Sequence, residues 1–337
     1  MKVLMTGNRL EDKIKGGMVS CASLLLKCNL DIDYFWTWSR EKHLGNISFL
    51  CRVMREHRGY DIYHLHTAAK VDLIRNLLLI VFFKRSFNKV ILHIHGSGFA
   101  SKVGINPITK YVFQRVDKFI VLSESWRSHL SKEWGISEDY FYVLCNPIES
   151  RNTNVILNSL ERALKVCFVG ELSERKGIMS LLNAVPLLSK SFEYYIAGEG
   201  LLKEKVLVEI GLLQDLGYIV NFCGFLQSSE RDVLLDSCDI LVLPSQAENL
   251  PISIIEAMHS SCAIVATNVG AVGTLVDSKN GVLLENASSY DISQALNHLL
   301  ESDLNSLKKI SYERSLDYLG EKVTEKLEAI YADVSRR

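Results

Sequence analysis

Two glutamates eight residues apart, Glu248 and Glu256, lie in the stretch DILVLPSQAENLPISIIEAM (239–258), the part of the sequence best suited to chemistry. An apolar run ends at Pro244 and a short polar loop carries Glu248. Pro251 marks the start of a helix, where a missing backbone N–H costs no hydrogen bond. Glu256 falls inside that helix. One carboxylate on a loop and one on a helix can accept hydrogen bonds from several sugar hydroxyls. The amides at the helix start would lie between them and face a phosphate. Taken alone, such a pair also arises by chance, as a helix-dipole partner and a surface residue. Its setting between two apolar runs of a βαβ unit argues against chance.

A second candidate is VGELSERKG (169–177). A strand ends near Gly170, and Arg175 and Lys176 stand on the loop before the next helix. Open α/β sheets bind ligands at the carboxyl ends of their strands, and two cations there can hold a diphosphate. An isolated Arg-Lys pair is otherwise a solvated surface feature. The third candidate is Gly16-Gly17, between the first strand and a helix. Paired glycines let backbone amides approach a ligand, and the helix start favours phosphate; the plain alternative is a loop. The dinucleotide fingerprint G-x-G-x-x-G is absent, which counts against a nicotinamide enzyme. In KVILHIHG (89–96), His93 and His95 point the same way from one strand, and His95 stands nearer its end. Read without context, such histidines are core residues. The same holds for His64 and His66 in DIYHLH (61–66), with His66 a minor candidate for an acceptor pocket.

The elements that must position these residues alternate. Strands are expected at 2–7, 32–37, 61–66, 89–96, 118–123 and 140–147. A second series is expected at 163–170, 192–198, 219–225, 239–245, 262–267 and 281–285. Helical segments such as 18–28 and 47–58 fall between strands. Strand–helix alternation implies βαβ units and parallel sheets, and the restart implies two doubly wound α/β domains. We read residues 1–148 as an N-terminal Rossmann-like domain and 149–315 as a C-terminal one. The polar segment SRNTNVILNSLER (150–162) suits a linker. Residues 316–337 read as a helix with Val323, Leu327, Ile330, Tyr331 and Val334 on one face, able to pack back on the first domain.

Composition sets outer bounds. The chain has 337 residues, 48% hydrophobic and 23% charged, which fits a soluble two-domain protein. None of the eight cysteines sits in a C-x-x-C pair, so free thiols in a reducing compartment are expected rather than a zinc site. MKVLMTGNRL lacks a signal-peptide core, and NLLLIVFF (76–83) is too short to span a bilayer; a cytoplasmic location is expected. Residues 1–148 carry 21 Lys+Arg against 13 Asp+Glu, an excess of +8, whereas the remainder carries −9. The basic half can meet an anionic partner, such as a phospholipid surface or a lipid-diphosphate. Nucleic acid is disfavoured by the acidic second half and the lack of a recognition motif.

VGELSERKG, YIAGEG, NFCGFL, CDILVLPS, ENLPISIIEAM and ATNVGAVGTLVDSKNGVLLE, in that order, resemble the family 4 retaining glycosyltransferases. The resemblance is strongest over 163–286. In the first half GG (16–17), HIHGS (93–97), VLSESW (121–126) and LCNPIE (144–149) also fit. It implies a GT-B fold, two Rossmann-like domains facing a central cleft, and transfer of a sugar from a nucleoside diphosphate, UDP being the commonest in the family. It implies that Glu248 binds hydroxyls of the transferred sugar, with the amides that follow it at Asn249 and Leu250, and that the Ile252 amide contacts phosphate. Glu256 would bind the ribose, and Phe225-Leu226 would touch the base. Gly16 and Gly17 would contact the diphosphate, Arg175 and Lys176 would neutralise it, and His95 would sit near the anomeric carbon. Three departures stand out. Glu171 replaces an arginine common after the glycine of this strand, Asn249 replaces a common glycine, and Pro251 has no amide to offer.

The implied reaction is retaining, with no carboxylate nucleophile in evidence, so the departing phosphate takes the acceptor proton. Cationic groups and a helix start would stabilise the leaving group, so no metal and no cofactor are expected. Asp31-Ile32-Asp33 mimics a metal-binding D-x-D, but it opens a strand and is set aside. The expected acceptor is a glycan or lipid-linked glycan of polysaccharide biosynthesis. Peripheral contact with an anionic membrane at its inner face is expected from the charge asymmetry and VDLIRNLLLIVFFKR (71–85), which also reads as a buried crossover helix. A nucleotide-sugar epimerase and a non-catalytic nucleotide-sugar-binding protein are the alternatives.

Overall fold

Among the described residues, twelve short and mostly apolar runs form parallel strands. Such runs lack polar alternation because a parallel strand is covered on both faces. In the computed structural model, residues 1–8, 17–26, 31–38, 59–67, 70–84, 88–96, 107–151 and 162–336 are described. They fall into two units, Met1–Glu149 with Tyr318–Arg337, and Ser150–Asp317. The helix expected at 47–58 and most of the segment 150–162 lie outside the described residues.

The first unit holds β1 (Val3–Asn8), β2 (Ile32–Trp38), β3 (Ile62–Thr67), β4 (Lys89–Ile94), β5 (Lys118–Val121) and β6 (Phe141–Val143). The order in the sheet is β2-β1-β3-β4-β5-β6, so the direction of winding reverses between β1 and β3. β6 has three residues, shorter than the expected run. Helices α1 (Gly17–Leu26), α2 (Lys70–Phe83), α3 (Pro107–Phe113) and α4 (Glu124–Trp134) lie between these strands. α4 shows how the sequence sets an end. Ser123 accepts a hydrogen bond from the Trp126 amide at the start, and Gly135 adopts φ 62° at the finish.

The second unit holds β7 (Leu164–Val169), β8 (Phe192–Ala197), β9 (Ile219–Gly224), β10 (Ile240–Leu243), β11 (Ala263–Thr267) and β12 (Gly281–Leu284). Its order is β12-β11-β10-β7-β8-β9, with the reversal between β7 and β10. Its helices are α5 (Ile178–Ala184), α6 (Lys203–Asp215), α7 (Ser228–Ser237), α8 (Ile252–His259), α9 (Val272–Leu275), α10 (Ser289–Glu301) and α11 (Leu304–Ser315). A doubly wound sheet opens a crevice at the carboxyl ends of the strands where the winding reverses. In this unit that crevice lies between β7 and β10, the strands that lead to Lys176 and Glu248.

The last helix, α12 (Gly320–Arg336), belongs to the first unit. Val323, Leu327, Ile330, Tyr331 and Val334 join Val3, Met5, Ile62, Ile91 and Ile120 in one buried cluster. The other face of that sheet packs Leu65, Leu92 and Val121 against Leu79, Ile80 and Trp134. In α2, Asn76, Leu79, Ile80 and Phe83 are buried while Leu78 and Val81 are exposed. No helix among the described residues is long and apolar enough to cross a membrane.

One buried carboxylate ties the second unit together. Asp239, just before β10, accepts hydrogen bonds from Arg162 at 2.9 and 3.0 Å, from the Lys165 amide at 2.9 Å and from Lys308 of α11 at 3.0 Å. Asp239 and Lys308 are almost fully buried. Removing one partner of such a pair strands the other charge away from water. Asp239→Ala is therefore expected to cost about 3–5 kcal/mol, read from urea unfolding of the two proteins. A loss below about 1 kcal/mol, the level of an exposed pair, would show that Lys308 finds another partner.

Candidate active site

The β7 strand delivers its loop at Gly170. Glu171, Leu172 and Ser173 follow, then a single 3₁₀ turn, Glu174–Lys176, that ends at Gly177 with φ 71°. The left-handed conformation suits glycine, and a Cβ there would overlap the Pro244 carbonyl. The loop can thus lie directly against the end of β10. The Gln246 amide donates to the Arg175 carbonyl at 2.8 Å and fixes the approach.

This contact brings Lys176 onto Glu248. Lys176 Nζ donates to Glu248 Oε1 at 2.5 Å, and Ser245 Oγ donates to the same oxygen at 2.7 Å. The lysine and glutamate side chains are 14% and 8% exposed, so the pair is largely shielded from water. Arg175 takes a different course. It donates to the Ala247 carbonyl at 3.1 Å and to Glu171 at 3.2 Å, in an exposed setting. Asn249 and Leu250 are buried beside Glu248, and the Asn249 carbonyl accepts from the Ala271 amide at 2.8 Å.

Pro251 is the N-cap of α8 rather than its first helical residue, so Ile252 opens the helix. The proline therefore leaves the first-turn amides of Ile252 and Ser253 intact and without an intrahelical acceptor. Glu256, the fifth residue of α8, receives Arg231 of α7 at 2.6 Å. Burial pushes the Glu256 carboxyl up to about 7, against the opposing pull of Arg231. Phe225, just past β9, is exposed, with Leu226 partly buried next to it. Gly224 turns the chain there with φ 66°.

In the first unit, Gly17 opens α1, and Gly16 lies outside the described residues. His95 follows the end of β4. Its amide donates to the Thr67 carbonyl at 2.8 Å, and its Nε2 lies 2.9 Å from Nδ1 of His66. His64, His66 and His93 are buried around it. Burial holds His95 near 3 and His66 and His93 well below the ordinary histidine range, so all are neutral at pH 7. Asp31 and Asp33 stand at the opposite end of the sheet, at the start of β2, where Asp33 accepts from Tyr60 at 2.7 Å.

The second unit thus brings together Arg175, Lys176, Glu248, Asn249 and Leu250, with Ile252 and Glu256 on the helix that follows. Two further side chains, Ser245 and Arg231, were not singled out by sequence. Ser245 was legible as the residue that ends the apolar run three places before Glu248. Arg231 is 25 positions from Glu256 and carried no local signal.

The sequence matches the model for "Glycosyl transferases group 1" over residues 163–302 and that for "Glycosyltransferase Family 4" over residues 30–151. The chain belongs to this family and is a glycosyltransferase of the GT-B fold. An uncharacterized glycosyltransferase of Methanocaldococcus jannaschii is 24% identical over 310 residues, 87% of this chain and 83% of that protein. An N,N'-diacetylbacillosaminyl-diphospho-undecaprenol alpha-1,3-N-acetylgalactosaminyltransferase of Campylobacter jejuni is 26% identical over 59% of this chain and 55% of its own length. Among solved structures, Anabaena Alr3699/HepE in complex with UDP and glucose shares the fold with a TM-score of 0.76 and 16% identity, over 99% of this chain and 100% of that one.

Because the Glu256 carboxyl titrates near 7 when folded and near 4.5 otherwise, the folded state holds its proton over that window. Its stability contribution is present below pH 4.5 and is lost as the pH rises through 7. Relative to Glu256→Gln, the wild type is expected to lose about 1.4 kcal/mol per pH unit across that window, measured by urea unfolding at several pH values. Parallel pH profiles for the two proteins would show that Arg231 keeps Glu256 ionised throughout.

Proposed function

We propose that this glycosyltransferase moves a hexosyl group, with retention at the anomeric carbon, from a UDP-sugar to a hydroxyl of a glycan or lipid-linked glycan in polysaccharide biosynthesis. The observation that carries the reading is the shielded Lys176–Glu248 pair at the carboxyl ends of β7 and β10. A buried ion pair roughly balances desolvation against attraction, so each partner can be exchanged for a ligand group at little net cost. Lys176 exchanges Glu248 for a donor phosphate. Glu248, still held by Ser245, then accepts from the sugar hydroxyls.

The leaving diphosphate gathers negative charge as the glycosidic C–O bond breaks. Lys176, Arg175 and the first amides of α8 at Ile252 stabilise that charge without a metal. Glu256, oriented by Arg231, accepts from the ribose, and Phe225 offers an exposed ring edge to the base, with Leu226 beside it. Asn249 and Leu250 border the sugar site, and the bulk of Asn249 restricts which sugar enters. Gly17 gives a backbone contact to the donor, and His95 serves the transferred sugar as a neutral imidazole. The acceptor hydroxyl loses its proton to the departing phosphate oxygen. The UDP and glucose of the Anabaena structure and the diphospho-undecaprenol acceptor of the Campylobacter enzyme support these substrate classes.

Purified protein incubated with UDP-, GDP- and ADP-sugars is expected to release nucleoside diphosphate from a UDP-sugar. Glu248→Ala and His95→Ala are each expected to lose about 100-fold in rate, the cost of a misplaced reacting centre. Release that survives in Glu248→Ala would remove the sugar site from this loop. The same proposal includes a place at the inner face of the membrane, supported by the +8 excess of residues 1–148 and the exposed Leu78 and Val81 of α2. Flotation with anionic liposomes should then succeed at low salt and fail at high salt; absence of binding at low salt would sink it.

A further inference from the structure

Histidines are rare in the middle of a parallel sheet, and here four of them share one face. His66 and His93 are direct partners across β3 and β4. His64 lies two residues back on β3, and His95 lies two residues past His93, just beyond the end of β4, so the side chains fall on the same side. The rings pack closely, with centroids 4.8 Å apart for His66 and His93, and 4.1 Å for His93 and His95. His64, His66 and His93 are buried among aliphatic neighbours.

The hydrogen bonds in this cluster do not satisfy it. His64 Nδ1 meets the Tyr331 hydroxyl at 2.6 Å, His64 Nε2 meets His93 Nδ1 at 3.1 Å, and His66 Nδ1 meets His95 Nε2 at 2.9 Å. Nε2 of His66 and Nε2 of His93 remain buried with no hydrogen-bond partner. Whichever tautomers are chosen, two buried ring nitrogens stay unmatched, and such groups are costly.

We propose that His64, His66 and His93 bind one divalent transition-metal ion of the zinc class, with Tyr331 and His95 as outer partners. One ring nitrogen from each of the three lies within 4.8 Å of the others. The 3.1 Å between His64 Nε2 and His93 Nδ1 is close to the roughly 3.4 Å expected for two nitrogens on a tetrahedral ion with bonds near 2.0–2.1 Å. An all-imidazole donor set suits zinc, cobalt, nickel or copper and not magnesium or calcium. Metal-bound imidazoles donate their remaining N–H to an outer acceptor. His64 Nδ1 faces the Tyr331 hydroxyl and His66 Nδ1 faces His95, so two of the three outer partners are already in place, and His93, bound through Nδ1, keeps its Nε2 without one. Three protein ligands leave one tetrahedral position for a small exogenous group.

This inference does not rest on the donor reading, since it concerns metal content alone. The test uses untagged full-length protein, stripped with chelator and then titrated with Co²⁺ and Zn²⁺. The expected result is one Co²⁺ per chain with the intense visible absorption of a four-coordinate site, displaced by one Zn²⁺. Zinc at about a hundredfold excess over its dissociation constant should raise Tm by about 5 °C. His66→Gln and His93→Gln, checked for fold by circular dichroism, should lose the cobalt spectrum and the shift. His298→Gln, an exposed histidine outside the cluster, should keep both. No stoichiometric uptake by the folded wild type overturns the proposal, whatever the variants do. Uptake unchanged in both cluster variants, or the weak spectrum of a six-coordinate surface site, overturns it too.

Discussion

The candidate site hangs on how closely two stretches of backbone can approach. Lys176 can reach Glu248 because Gly177 presents no side chain to the Pro244 carbonyl, and the Glu248 carbonyl is in turn overlaid by Gly270, at φ 59°. A Cβ at either glycine would push the loops after β7, β10 and β11 apart. The Gln246–Arg175 and Ala271–Asn249 backbone hydrogen bonds, both 2.8 Å, hold that approach. The ion pair is then a consequence of backbone geometry and not its cause. This matters for function, because a pair held by its surroundings can lose its partner to a ligand without the site collapsing.

The two units solve the same packing problem with different polar content. In the second, β10 and β11 are buried and wholly apolar apart from the last residue, Thr267. In the first, histidines run into the sheet itself. The α12 helix covers that face with Val323, Leu327 and Ile330, and it supplies Tyr331, which reaches His64. Tyr142 also hydrogen-bonds Asp333 from β6. The last turns of the chain therefore finish the core of its first unit and close the polar row.

The strands and their restart were legible because continuous Val, Ile and Leu runs between helical segments admit few other readings. Runs such as DILVLPS and CAIVAT became β10 and β11 with ends shifted by a residue or two. The apolar face of 320–336 was legible for the same reason, since five positions at helical spacing need a surface to cover. What was not legible is everything that depends on long-range pairing. Nothing local ties Lys308 to Asp239 or Arg231 to Glu256, because each pair joins elements that only the sheet order brings together. The histidines were visible one strand at a time. Their clustering needed the register of β3 on β4, which a single sequence does not state.

The two cations of the β7 loop, equal in sequence, differ in physical standing. Arg175 is half exposed and partnered by Glu171, which occupies the position where the resemblance led us to expect an arginine. An exposed pair of this kind contributes at most about 1 kcal/mol, so Glu171 offsets part of the charge of Arg175 without fixing it in place. Lys176 is shielded, and its partner Glu248 is held by Ser245 as well. A phosphate arriving at Lys176 meets a cation whose field is little screened by water, and coulombic attraction grows as the local dielectric falls. Under the proposed donor reading, Lys176 then meets the phosphate more strongly than Arg175, the exposed outer member of the pair.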